Sequence, residues 1–73
     1  MLPDITYRIG ADGVFRVVFA GRLDSFKDPP LMFRTLAAVR DRLGGKFEFH
    51  YVGTTDPKRY EEFALIEDCT RLY

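Results

Sequence analysis

Hydrophobic and polar positions follow one another in a pattern that predicts a leading strand and then two strand–helix units. Residues 5–9 alternate weakly, as an edge strand does, and Asp12-Gly13 predicts the turn of a hairpin. The run 14–20 is mostly apolar and contains β-branched residues, which is typical of a strand covered on both faces of a parallel sheet. Residues 47–52 alternate with period two and predict a second such strand.

Each of these two strands is followed by the residues that start a helix. Asp28 is expected to cap a first helix that begins at Pro29 or Pro30 and ends near Leu43, before two glycines. A stripe at helical spacing predicts its buried face: Met32, Leu36, Val39 and Leu43. A second helix is expected from about Lys58, with the chain ending in or just after it. Its predicted apolar face comprises Tyr60, Phe63, Ile66 and Cys69.

This order of elements predicts an α/β fold, (β)βαβα, with a parallel strand pair joined by a right-handed crossover. Such an arrangement is partial Rossmann-like, about half of a doubly wound nucleotide-binding sheet. No feature closes the domain after the second helix, so residues 1–73 are expected to form a single partial domain, a fragment of a longer protein. The open edge and aromatic face of strand 47–52 predict self-association of the isolated chain.

Composition and charge narrow the classes of function. The chain of 73 residues has 11 basic and 11 acidic side chains, and this zero net charge argues against nucleic acid as a partner. The sequence shows no membrane segment and no metal-binding cluster. A single cysteine, Cys69, cannot form an internal disulfide, so a reducing, cytoplasmic setting is expected. The longer protein could still act at the cytoplasmic face of a membrane.

The loop after the first buried strand carries the candidate binding residues Gly21, Arg22 and Lys27. Ligands of open α/β sheets bind at the carboxyl ends of the strands, where this loop is expected to lie. Arginine offers a planar fork for phosphate oxygens and lysine adds a mobile point charge. A following helix start also favours an anion, although Asp28 partly opposes it. The plain alternative is two solvated loop cations, and Gly21 is either an ordinary turn glycine or one needed for positive φ or close backbone approach.

The remaining polar residues give weaker indications of chemistry. His50 has no carboxylate or hydroxyl partner at a suggestive spacing and is predicted to be an ordinary sheet histidine. Cys69 is predicted to pack as a small hydrophobe. The acidic pairs Glu61-Glu62 and Glu67-Asp68 are predicted to be a solvated helix face. No catalytic residue is assigned.

The segment 19–40, FAGRLDSFKDPPLMFRTLAAVR, resembles the start of the donor-binding domain of retaining GT-B glycosyltransferases, the group 1 glycosyl transferases. The shared pattern is a strand, then Gly-Arg-Leu, a lysine five residues after the arginine, and a helix. The likeness extends over most of the chain after residue 15. One departure is the loop after the second strand, where Gly53-Thr54-Thr55 lacks the second glycine of the family's Gly-x-Gly-Pro loop, so a direct donor contact from Gly53 is not expected.

The resemblance implies an enzyme that transfers a sugar from a nucleotide-diphosphate donor to an acceptor with retention of configuration. In it, the equivalents of Arg22 and Lys27 contact the donor diphosphate, generally without a metal or another cofactor. The family's acidic Glu-x7-Glu segment would follow Tyr73 and the acceptor domain would precede Met1, so the chain alone is expected to be inactive. The sugar, nucleotide, acceptor and pathway stay open. A small non-catalytic α/β interaction module, recruiting a partner strand at a sheet edge, is the alternative.

Overall fold

A computed structural model describes residues 5–23 and 28–73 of the chain. Its regular elements follow the predicted order through the second buried strand. These elements are strand β1 (Ile5–Ile9), strand β2 (Phe15–Ala20), helix α1 (Pro29–Arg42) and strand β3 (Phe47–Val52). Three short 3₁₀ helices and a fourth strand come next: Pro57–Arg59, Glu61–Leu65, Glu67–Cys69 and strand β4 (Thr70–Leu72). No helix in the described ranges has the length and apolar character needed to cross a membrane.

The four strands form one mixed sheet in the order β1-β2-β3-β4. Strand β1 pairs antiparallel with β2, which confirms the predicted hairpin, and Tyr7 lies opposite Val17. Strands β2 and β3 are parallel, with Val17 opposite Phe49, and α1 connects them. An α/β fold with a parallel pair and a helical crossover is therefore confirmed. The pair β3–β4 is also parallel, with Tyr51 opposite Leu72.

One face of the sheet packs against α1 and the 3₁₀ helices. Alternate residues of β2 and β3 point into this core, as the period of two requires: Val17, Phe19, Phe47, Phe49 and Tyr51. The helix contributes Phe33, Leu36 and Ala37, which lie three and four residues apart on one face. The prediction of Leu36 is therefore confirmed, whereas Met32 and Val39 only flank the core and Leu43 is 40% exposed.

The predicted second α-helix is wrong, because three short 3₁₀ helices, separated at Tyr60 and Ile66, replace it and β4 follows them. The buried and half-buried apolar residues of this segment recur at every third position, from Pro57 through Tyr60, Phe63 and Ile66 to Cys69. Within a 3₁₀ helix, which has about three residues per turn, a spacing of three places side chains on one face. In an α-helix of about 3.6 residues per turn, Tyr60 and Cys69 would point in opposite directions. The spacing of three therefore matches the 3₁₀ conformation.

Strand β3 is an interior strand, paired with β2 on one side and with β4 on the other. Its aromatic side chains at 47, 49 and 51 are each at most 2% exposed. Self-association was expected to occur through an open edge and aromatic face of this strand. This surface is not open, so that part of the prediction is wrong. Within the described residues, the edges of the sheet are β1 and β4.

Candidate functional site

The loop that carries the candidate residues begins where two parallel strands end side by side. Ala20 and Val52 are the last paired residues of β2 and β3. The Gly21 amide then donates a hydrogen bond of 2.9 Å to the Val52 carbonyl, so the two chains stay in contact for one residue beyond the strands. This carboxyl edge of a parallel pair is where ligands bind in open α/β sheets.

Gly21 and Gly53 make that close approach possible for two different reasons. Gly21 has φ of 133°, a region that side-chain-bearing L residues rarely adopt, and a Cβ there would meet nothing within 4 Å. Its conformation, rather than a lack of space, requires glycine. A Cβ built on Gly53 would collide with the Gly21 carbonyl oxygen and with the Tyr51 hydroxyl. Gly53 is thus part of the site's framework, a role that the sequence reading did not assign to it.

Three side chains from the second half of the chain fix the loop backbone around Arg22. The Tyr51 hydroxyl donates to the Gly21 carbonyl at 2.7 Å. The Leu23 amide donates to Thr55 Oγ1 at 3.2 Å, and the Tyr60 hydroxyl donates to the Leu23 carbonyl at 3.1 Å. Leu23 itself is 2% exposed and belongs to the core. The residues on both sides of Arg22 are therefore anchored by hydrogen bonds or burial.

Arg22 is exposed in the middle of this anchored turn. In the described part of the chain, no carboxylate lies within ion-pair distance of its guanidinium. A cation in this setting can bind an anion without first giving up a protein partner. Lys27 falls outside the described residues, so its predicted position on the same side as Arg22 stays a prediction.

The start of α1 differs from the expected anion-binding helix terminus. Its first two positions, Pro29 and Pro30, have no N–H group. The next amide, of Leu31, donates to Asp28 Oδ1 at 3.3 Å, and the Met32 amide donates to the Asp28 carbonyl at 3.0 Å. The first turn of the helix thus has no spare backbone donor for a ligand. An anion at this edge would have to be held by side chains and by the loop.

The opposite face of the sheet carries a polar network that the sequence reading missed. Arg16 donates from Nε to Glu48 Oε1 at 3.0 Å and from Nη2 to Asp12 Oδ2 at 2.8 Å. His50 Nε2 lies 2.9 Å from the same Glu48 oxygen, and its Nδ1 lies 2.7 Å from the Tyr73 hydroxyl. The expectation that His50 lacks a carboxylate or hydroxyl partner is therefore wrong. Glu48 is two residues earlier on the same strand, where the period of two places both side chains on one face.

The network shifts the acid–base equilibria of its carboxylates. Hydrogen bonds from the Arg16 side chain and from the Val14 amide lower the pKa of Asp12 to about 2. The hydrogen bond with His50, followed by that with Arg16, lowers the pKa of Glu48. The two carboxylates raise the pKa of Arg16. Both acids are therefore ionised at neutral pH and already engaged, which suits a role in holding β2, β3 and the turn between β1 and β2 together.

Cys69 and the acidic pairs show no geometry of a catalytic group. Cys69 is half-buried, its thiol donates to the Ile66 carbonyl at 3.3 Å, and burial raises its pKa. A raised pKa disfavours the nucleophilic thiolate. Glu62 and Asp68 lie near arginines of α1, at 3.6 Å from Arg34 and 3.3 Å from Arg40 respectively. These two ion pairs, Arg34–Glu62 and Arg40–Asp68, connect the 3₁₀ helices to α1.

Comparison of the chain with protein-family models, with curated proteins and with solved structures gives no significant match.

Proposed function

We propose that the chain is part of the donor-binding domain of a retaining glycosyltransferase, in which Arg22 and Lys27 hold the diphosphate of a nucleotide-sugar. The observation that carries the proposal is the exposed Arg22, which has no ion-pair partner among the described residues and lies between two anchored residues at the carboxyl end of parallel strands. A fixed backbone limits the conformational entropy that a phosphate contact would otherwise cost. The Gly-Arg-Leu pattern with its following lysine supports the same assignment.

In this proposal, the carboxyl edge of the sheet contributes to the reaction by electrostatic stabilisation. Cleavage of the sugar–phosphate bond builds negative charge on the leaving diphosphate, and fixed cations near its oxygens lower the barrier. Because the first turn of α1 has no spare N–H group, we assign this role to the side chains of the loop. Arg22 would bind two phosphate oxygens through its planar fork, while Lys27 would add a second positive charge.

Transfer also needs an acceptor held against the donor, and much of the rate comes from that positioning. In the proposal, the acceptor domain and the acidic donor-contacting segment belong to other parts of a longer polypeptide. We also propose that the sheet is part of a doubly wound sheet in the longer protein and that its partner is a nucleotide-sugar donor. Residues 1–73 alone would then bind the diphosphate weakly and transfer no sugar.

The alternative, a non-catalytic interaction module, draws its support from β1. On this edge strand, Tyr7 is 71% exposed and Ile9 is 70% exposed. Large apolar side chains that are this exposed can mark a protein–protein contact surface. The two functions differ in one requirement: the transferase needs the charges of Arg22 and Lys27, whereas the module does not.

Kinetics of the full-length enzyme test the transferase directly. Lys27→Ala is expected to lower kcat/KM at least about 10-fold, because a charge-assisted phosphate contact contributes roughly 1.5–3 kcal/mol. Arg22→Lys is expected to lower it too, since it removes the fork but keeps the charge. Lys46→Ala and Arg8→Lys serve as matched controls, as Lys46 precedes β3 at the opposite end of the sheet and Arg8 lies on β1. Unchanged kinetics in both loop variants would refute the diphosphate assignment.

A further inference from the structure

Strand β1 presents an open, apolar edge to solvent. It pairs with β2 on one side, and on its other side no described strand follows. Its residues Tyr7 and Ile9 lie on the α1 side of the sheet, opposite Val17 and Phe15, yet both are about 70% exposed. The Tyr7 ring contacts the Phe15 ring with 5.6 Å between centroids. The apolar surface of the core therefore continues out to this edge, where unpaired backbone groups can accept another strand.

We propose that two copies of the chain associate through β1, strand against strand, antiparallel and with a two-fold axis at Tyr7. In this register Tyr7 faces Tyr7 of the second copy, and each Ile5 position faces an Ile9. Each Thr6 faces an Arg8. All five positions of Ile5–Ile9 thus find a partner, with the tyrosine pair on one face and the two Thr6–Arg8 pairs on the other. The two sheets would join into one continuous sheet of eight strands, twice the four of each copy.

Charge and length select this register over its neighbours. Centring the axis on Arg8 would place two arginines directly opposite each other, which is destabilising. Centring it on Thr6 would pair only positions 5–7 of the described strand with one another. Only the axis at Tyr7 uses the whole strand and separates the two arginines.

The other edge of the sheet is a poorer surface for self-pairing. Strand β4 has three residues, and a two-fold axis at its centre would set Arg71 against Arg71. Pairing β1 of one copy with β4 of the next would leave free edges at both ends and would build open chains of molecules. A closed dimer therefore requires β1 with β1. A contact of five residues per copy is small, so the dimer is expected to be weak and concentration-dependent.

Disulfide trapping tests the register. In a Cys69→Ser background, Tyr7→Cys places two thiols opposite each other across the axis, within the distance that a disulfide spans. Under a glutathione redox buffer, this variant is expected to form a covalent dimer in high yield. Thr6→Cys alone is expected not to, because its partner position is Arg8, whereas Thr6→Cys combined with Arg8→Cys is expected to cross-link again. Equal cross-linking of all three variants would overturn the register.

Light scattering and sedimentation test the interface without cross-links. The unmodified chain is expected to shift from monomer to dimer as its concentration rises to about 1 mM, where even weak complexes are populated. Tyr7→Lys sets two like charges on the axis and is expected to keep the chain monomeric. Tyr73→Lys is the matched control, with the same change at a tyrosine of similar exposure, 69%, by the opposite edge. A monomeric unmodified chain, or a dimer lost in Tyr73→Lys and kept in Tyr7→Lys, would overturn the proposal.

Discussion

Replacing Gly53 with alanine is expected to lower the free energy of unfolding by about 2 to 4 kcal/mol and to displace the Arg22 loop. The new Cβ would collide with the Gly21 carbonyl oxygen, a backbone atom that cannot rotate away. Relief requires that β2 and β3 separate at their ends, which costs about 1–3 kcal/mol as overpacking does. The hydrogen bond from Tyr51 to Gly21 would be strained or lost as well, adding about 1 kcal/mol.

Thermal unfolding followed by circular dichroism measures this change, and a drop in Tm of roughly 10 °C or more is expected for a domain of this size. Gly10→Ala is the matched control. A Cβ at Gly10 would approach the ends of the Arg16 and Asp12 side chains, which can move aside. A Tm for Gly53→Ala that equals that of the control would show that the two glycines do not hold the strand ends together.

Replacing Phe33 with alanine is expected to lower the free energy of unfolding by about 3–5 kcal/mol. Phe33 is fully buried, and its ring lies 5.4 Å from that of Phe63 and 6.2 Å from that of Tyr60, centroid to centroid. Removing such a side chain typically costs 3–5 kcal/mol. A chain of 73 residues has a total stability of roughly 4–11 kcal/mol, so this loss would remove a substantial part of it.

The same variant should also loosen the candidate site, because Tyr60 holds the Leu23 carbonyl and packs on Phe33. Urea unfolding measures the free energy of unfolding, and the NMR signal of the Leu23 amide reports on the conformation of the loop. Leu31→Ala, on the same helix at 52% exposure, is the matched control and is expected to change stability little. A mild effect of Phe33→Ala would contradict a core in which α1 and the 3₁₀ helices depend on this ring.

The sequence predicted β1, β2, α1 and β3 to within a residue or two because each carries a strong local signal. Period-two alternation marks the strands, and Asp28 with two prolines marks the helix start. The segment 57–69 was predicted less well, since a spacing of three fits part of an α-helix as well as a 3₁₀ helix. Strand β4 is three residues long and its pairing with β3 is set by tertiary structure, which no local pattern reveals.

The candidate site was predictable only in part. Gly21 and Arg22 follow directly from the strand end, which the sequence marks well. The residues that anchor them were missed because Tyr51, Thr55 and Tyr60 are about 30 or more positions away along the chain. Their hydroxyl groups meet the loop only once the parallel pair has formed. The contact between His50 and Glu48 was predictable but overlooked. Both residues are on the same strand, and the alternation of that strand places their side chains on one face.

Titration of the ¹⁵N-labelled chain with a nucleoside diphosphate tests the central claim most directly. Saturable shifts are expected at the amides of Gly21, Arg22 and Leu23, because these residues border the proposed phosphate site. Arg22→Ala should weaken binding about 10-fold or more, as loss of a charge-assisted contact does. Arg8→Ala is the control, since Arg8 lines a groove of about 440 Å³ with Arg16 and His50, away from this loop. Shifts confined to that groove, or binding unaffected by Arg22→Ala, would contradict the proposed diphosphate site.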